Sequence, residues 1–274
     1  IYPLQNSEYY IISKTWYAGE MKRPGCVWTH SFLIPFSQLS QITDFRIFTD
    51  LFVRPQDDNI DFYAKPLLLE SNLEYKNTLF DNKLVLPSLS LIYNRLINQH
   101  PQVFSIENKS LFYQHLCFIL MNYFPYQILC QLSFCSGSAR IRTLFGKPFF
   151  LQFINAQYDV VKSVFTFDKS ELNTIPSYID FAAQDIVSEK LQLSRLIHTF
   201  AEDIGSNYQR LNALLILIEL INKIYKTADE KENAIQEIIT NLATFFPNRE
   251  DGKLVKERFL QKRITEIFVP EYEF

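Results

Sequence analysis

Cys26, His30 and Cys135 are the side chains of this chain best suited to covalent or metal chemistry. Together they would supply a thiol nucleophile with its imidazole base, or three of the ligands that zinc takes. The spacing of the first two argues against either use. If residues 26 to 34 form a strand, positions four apart on one face lie roughly 13 Å from each other at about 3.3 Å per residue, too far for a hydrogen bond or a shared ion. Each cysteine is better read as a small buried hydrophobe, the common state of a free thiol. The segment Phe134-Cys135-Ser136-Gly137-Ser138 approaches a nucleophile elbow, but the Gly-x-Ser-x-Gly order is missing. Gly146-Lys147-Pro148 has neither the upstream glycine nor the following Ser or Thr of a phosphate-binding loop. His100, His115 and His198 read as ordinary, partly buried histidines. No metal and no cofactor is therefore expected.

Two basic clusters remain. Arg140, Arg142 and Lys147 stand in a loop between two extended stretches, and Arg249, Lys253, Lys256, Arg258, Lys262 and Arg263 stand against Glu250, Asp251 and Glu257. Both suit solvated faces; the second also suits docking to an acidic partner, because charge complementarity sets encounter rate and orientation. A nucleic-acid sensor is weakly supported, since the formal net charge of the chain is −3 and polyanion binders usually carry a net basic face.

The elements that must hold these residues follow from composition and periodicity. With 25 Phe and 15 Tyr against 6 Gly in 274 residues, and 47% hydrophobic residues, the chain can bury a sizeable core, which excludes disorder and low-complexity classes. The apolar run Ala213 to Ile218 is closed by Glu219 and is far shorter than the roughly 20 residues of a membrane span. No basic segment followed by an apolar stretch opens the chain, and it starts without Met, so a fragment or excised domain is expected. Four cysteines without a C-x-x-C pair fit a reduced, cytoplasmic protein.

Tyr9 to Trp16 and Cys26 to Ile34 alternate as strands and pair through the turn Met21-Lys22-Arg23-Pro24-Gly25, where proline fixes one dihedral and glycine accepts a positive one. Phe45 to Val53 and Phe62 to Leu69 are expected to be extended. A helix is expected from Pro87, carrying Leu89, Ile92, Tyr93, Leu96 and Ile97, and a second between Ser110 and Pro125. Phe134 to Ser138 and Pro148 to Ile154 return to strand. From about Asp180 the pattern is helical, with breaks at Gly205-Ser206-Asn207 and Thr227-Ala228-Asp229-Glu230, the latter of capping-box form. Leu211 to Ile221, apolar on more than one side, should be the central helix, covered by the stripes Ile186-Leu193-Ile197-Phe200-Ile204 and Ile235-Ile238-Leu242-Phe245. The fold class is thus α+β: a domain over residues 1–179 with a mixed sheet and two helices, then a helical subdomain over 180–274.

One stretch is more specific than any pattern. Thr15-Trp16, Glu20-Met21 and Arg23-Pro24-Gly25-Cys26-Val27-Trp28-Thr29-His30, followed by the apolar Ser31-Phe32-Leu33-Ile34, resemble the N-terminal domain of the bacterial GTPase-associated proteins. Phe134-Cys135-Ser136-Gly137-Ser138, Arg142, the run Gly146 to Gln152, and Ile204-Gly205 agree in order, so the resemblance spans roughly residues 2 to 220. Gly19 and Lys22 stand where the family usually has prolines, and the family's usual first segment, with its Tyr-Gly and Gly-His pairs, is missing. The resemblance implies an adaptor of bacterial conflict or antiphage defence systems that couples a GTPase to effector proteins, without catalysis of its own. Its contact surface would be Trp16, Glu20, Met21, Arg23, Trp28 and His30 around the turn, with Lys253, Lys256, Arg258, Lys262 and Arg263 as a second docking segment. A sheet missing its first strand would also favour self-association. The alternatives are a Cys-dependent hydrolase using Cys26 or Cys135 with His30, and the nucleic-acid sensor.

Overall fold

The computed structural model describes residues 1–4, 7–55, 60–69, 82–98, 102–106, 110–138, 140–155, 174–188, 192–226 and 231–260. Its strands are β1 (Tyr2–Pro3), β2 (Tyr9–Tyr17), β3 (Val27–Pro35), β4 (Gln102–Ile106), β5 (Phe134–Ser138), β6 (Thr143–Leu144), β7 (Lys147–Pro148) and β8 (Leu151–Asn155). Its α-helices are α1 (Phe36–Leu39), α2 (Phe48–Leu51), α3 (Asn82–Ile97), α4 (Ser110–Tyr123), α5 (Tyr126–Leu129), α6 (Ser177–Val187), α7 (Gln192–Thr199), α8 (Ala201–Ile204), α9 (Tyr208–Lys226), α10 (Lys231–Phe245) and α11 (Lys253–Leu260). Short 3-10 turns occupy Phe45–Ile47 and Ile60–Ala64. The class is α+β, with an antiparallel N-terminal sheet and a helical C-terminal part.

The chain divides into two compact units: residues 1–80, 103–122 and 129–166 form the first, residues 81–102, 123–128 and 167–274 the second. These are not the sequential halves 1–179 and 180–274. Helix α3 joins the second unit because its apolar stripe, Leu89, Ile92, Tyr93, Leu96 and Ile97, is fully buried and packs against α6 and α9.

In the first unit β2 and β3 form a long antiparallel hairpin in continuous register from Tyr9 opposite Pro35 to Tyr17 opposite Val27, with β1 beside β2. The Ala18 N–H donates to the Cys26 carbonyl at 3.0 Å, and Gly25 takes the positive φ of 79° that the Pro-Gly order anticipates. A second sheet has the order β4-β8-β5. Its β5 and β8 run parallel, Phe134 opposite Leu151, so the intervening loop must cross back, and it carries the small hairpin β6–β7. Gln152, fully buried, accepts from the Arg142 N–H at 2.7 Å and ties that loop to β8.

Three expected elements differ. Phe45 to Val53 is helical over Phe45–Leu51, not extended. The Asp44 carboxylate accepts from the Arg46 N–H at 2.8 Å, and the Asn122 amide oxygen accepts from the Phe45 N–H at 2.7 Å, so both cap the turn. Phe45 and Phe48, three apart, are both 1% exposed and form the buried side of that turn. Within Phe62 to Leu69 the start is 3-10 turn through Ala64 instead of strand, and the Tyr63 hydroxyl donates to the Val53 carbonyl. Helix α3 begins at Asn82, so Pro87 lies inside it; a proline there costs one backbone hydrogen bond, and burial of the stripe on both later turns outweighs it.

In the second unit α9 is the central helix, as its apolar run requires. Leu211, Ala213, Leu214, Leu215, Leu217, Ile218, Leu220 and Ile221 are all buried, and α3, α6 and α10 pack on it. Asn207, at the expected break, accepts from the Gln209 N–H at 2.9 Å and caps the helix. The stripe of α10 is only partly covered: Ile235 is 42% exposed. The expected capping box at residues 227–230 lies outside the described residues.

Candidate functional site

The hairpin places one face of β2 and one face of β3 side by side, so that Trp16 lies opposite Trp28 and Lys14 opposite His30. Both tryptophans are half-buried and neither is a core residue. The Trp28 indole N–H donates to the Glu20 carboxylate at 2.7 Å, and the Arg54 guanidinium pairs with the same oxygen. Hydrogen bonds from its own backbone N–H, from Trp28 and from Arg54 hold the Glu20 carboxyl below its ordinary range. Trp16 meets Phe52 edge-on at 6.5 Å, and the Lys14 ammonium stands 5.5 Å from the Trp16 ring centre. The result is a fixed patch of two indoles crossed by an acid–base pair. Beyond it Met21, 45% exposed, and Arg23 project from the turn.

His30 is placed otherwise than as a surface contact. It is 6% exposed, and its ring packs against Phe32, Phe52 and Tyr63 at 4.4 to 5.6 Å. The Val53 N–H donates to its Nδ1 at 3.2 Å, which assigns the neutral ring with its proton on Nε2. Burial lowers its pKa. His30 therefore fixes the segment after α2 onto the hairpin, and it leaves the set of direct contact residues. Cys26 sits half-buried just before β3, and the Cys135 thiol lies 3.5 Å from the Gly137 carbonyl, so the hydrolase reading gains no thiol–imidazole pair among the described residues. Nor does any group of three or more His, Cys, Asp or Glu side chains gather among them.

Of the basic segment, Lys253, Lys256 and Arg258 lie on α11, while Lys262 and Arg263 fall outside the described residues. This helix is anchored within its unit and is not a free arm. Asp203 accepts from the Val255 N–H at 2.7 Å, and the Lys256 ammonium is committed to the Asn248 carbonyl. Lys253 keeps an exposed side chain.

Lys14, Phe52 and Arg54 belong to the patch and were not singled out in the sequence. Lys14 was legible, being two residues from Trp16 on a strand and hence on the same face. Arg54 was not: its pairing with Glu20, 34 residues away, depends on the turn at Phe45–Leu51 that the sequence presented as strand.

The sequence of this hairpin is similar to a known family. Residues 1–52 match the family model of GTPase-associated protein 1, N-terminal domain type 1. The match covers β1, β2, the turn, β3 and the chain into Phe52, and so includes every turn residue named above and excludes the later blocks at 134–152 and 204–205. No curated protein and no solved structure matches the chain. The matched residues contain Trp16, Glu20 and Trp28, and Arg54 lies just beyond them.

Proposed function

We propose that this chain is a non-catalytic, cytoplasmic adaptor that binds a GTPase and couples it to effector proteins of a bacterial conflict or antiphage defence system. The single observation that carries this reading is the coincidence of the family match at residues 1–52 with the hairpin patch. The family's name supplies the GTPase, and the patch supplies a surface on which it can dock. Trp, Met and Arg are the side chains enriched at the centres of interfaces, and here Trp16, Trp28, Met21 and Arg23 lie within one hairpin. The Trp28–Glu20–Arg54 contacts hold the indole in one orientation before binding, so less side-chain entropy is lost on association. Self-association belongs to the same reading.

No described helix is long and apolar enough to cross a membrane, which is compatible with a partner in the same aqueous compartment. The test is co-expression with any GTPase found encoded near this chain's gene, followed by affinity capture. Recovery of the GTPase with the wild-type chain, and its loss with the double substitution Met21→Ala/Arg23→Ala, is the expected result. Equal recovery with both chains would move the contact away from the turn, and no recovery with either would remove the GTPase from the reading.

A further inference from the structure

Strand β3 is the outer strand of its sheet: the order is β1-β2-β3, and among the described residues no strand pairs with its other side. The ends of the hairpin ladder fix which of its backbone groups point outward. The Ala18 N–H bonds the Cys26 carbonyl and the Phe36 N–H bonds the Glu8 carbonyl, so in antiparallel alternation the even-numbered residues of β3 bond to β2. The odd-numbered Val27, Thr29, Ser31 and Leu33 therefore turn their N–H and C=O groups away from the sheet.

Edges of this length are normally blunted by a lysine, a proline or a bulge. Here the nine residues Val27–Pro35 contain no Lys, Arg, Asp or Glu, and proline enters only at the last position. The pairing with β2 continues residue for residue without a bulge. Val27 and Leu33, at either end of the edge, are 57% and 56% exposed, while Thr29 and Ser31 between them are exposed hydroxyls.

We propose that β3 pairs antiparallel with β3 of a second copy of this chain about a two-fold axis at His30, joining two three-stranded sheets into one. This deepens the self-association in the reading above and rests on it. The edge is complementary to itself in one register. With the axis at His30, Val27 faces Leu33 of the second copy and Thr29 faces Ser31, so each exposed apolar residue meets an apolar one and each hydroxyl a hydroxyl. The hydroxyl ladder already present inside each hairpin, Ser13 to Ser31 at 2.8 Å and Thr15 to Thr29 at 3.0 Å, continues across the axis. A slip of one residue pair sets Val27 against Ser31, or Leu33 against Thr29, and loses the match. Two copies bring no like charges together on the strand itself. An isologous contact of this kind closes at two chains and does not propagate into a fibre.

Sedimentation velocity of the full chain over a wide concentration range tests this. The wild type is expected to reach the mass of a dimer. Ser31→Lys, at an exposed position beside the axis, places two ammonium groups next to each other and should weaken the dimer by about tenfold or more while tryptophan emission and thermal midpoint stay near wild type. Val27→Cys/Leu33→Cys treated with a short bismaleimide should yield dimers whose crosslinked peptides join position 27 to position 33. A wild type that stays monomeric at the highest concentration overturns the proposal. So does a dimer that Ser31→Lys leaves intact, or one whose crosslinks join 27 to 27. None of these outcomes bears on GTPase capture, so this proposal and the adaptor reading fail separately.

Discussion

Glu20 is the residue on which the hairpin patch turns, because one of its carboxylate oxygens receives both Trp28 and Arg54. Glu20→Gln keeps the shape and removes the charge. Trp28 should then gain mobility, read as a red shift and broadening of tryptophan emission, with GTPase binding weakened and the thermal midpoint little changed, since the site is largely solvent-exposed. An unchanged spectrum would show that Trp28 is held by packing alone. A different acid, Asp185, does structural work. It is 3% exposed and accepts from the backbone N–H groups of Gln192 and Leu193, both at 3.0 Å, and of Ser194 at 3.4 Å, capping α7 from the preceding helix. Asp185→Ala leaves these donors buried and unmet and should cost about 2 to 3 kcal/mol, measured as the shift of the urea midpoint. Asp185→Asn, which keeps an acceptor, should cost less. Glu20 was legible because it stands in the turn motif, whereas Asp185, set among Phe181-Ala182-Ala183-Gln184 and Ile186-Val187, gives no local sign that its carboxylate caps the next helix.

At the scale of elements, the junction before α11 is the most exacting. Gly252 has a φ of +61°, and a β-carbon there would lie 2.3 Å from the Phe246 ring. Gly252→Ala therefore combines a strained backbone with overpacking and should destabilise by about 2 to 4 kcal/mol; a thermal midpoint equal to wild type would contradict that packing. The hairpin, the central helix α9 and its cap at Asn207 were legible because a period of two, an all-round apolar run and a Gly-Ser-Asn break are local signals. Phe45–Leu51 was not, because the run Phe-Arg-Ile-Phe-Thr-Asp-Leu-Phe-Val is rich in strand-forming residues while its helical signal, apolar side chains at Phe45, Phe48 and Phe52, depends on caps from Asp44 and the distant Asn122. Helix α3 showed the same limit at Pro87. Proline reads locally as a helix start, whereas the helix begins at Asn82 and already buries Val85 ahead of the proline. Of the candidate site, the turn and the two tryptophans were legible; the burial of His30 was not, because Phe52, Val53 and Tyr63 cover it only once the chain has turned back.

For the whole molecule, two buried histidines link folding to pH. Burial lowers the pKa of His30, and burial with the nearby Arg46 charge lowers that of His115. Both rings favour the neutral form in the fold, so below about pH 6.5 the unfolded chain binds more protons and stability falls as the solution is acidified. The urea midpoint should therefore drop between about pH 7.5 and 5.5, and His30→Asn, which retains an acceptor for the Val53 N–H, should flatten the drop; an identical pH profile for that variant would show that His30 does not titrate on unfolding. The central claim is the proposal that the hairpin turn docks a GTPase, and isothermal titration of the full chain with any GTPase found encoded near its gene tests that claim most directly. The account predicts saturable binding that Met21→Ala/Arg23→Ala weakens by about 2 kcal/mol or more, roughly thirtyfold in Kd, while Lys253→Glu on α11 leaves it nearly unchanged. Equal affinity for the wild type and the turn variant, or the absence of binding in every nucleotide state of the GTPase, would contradict it.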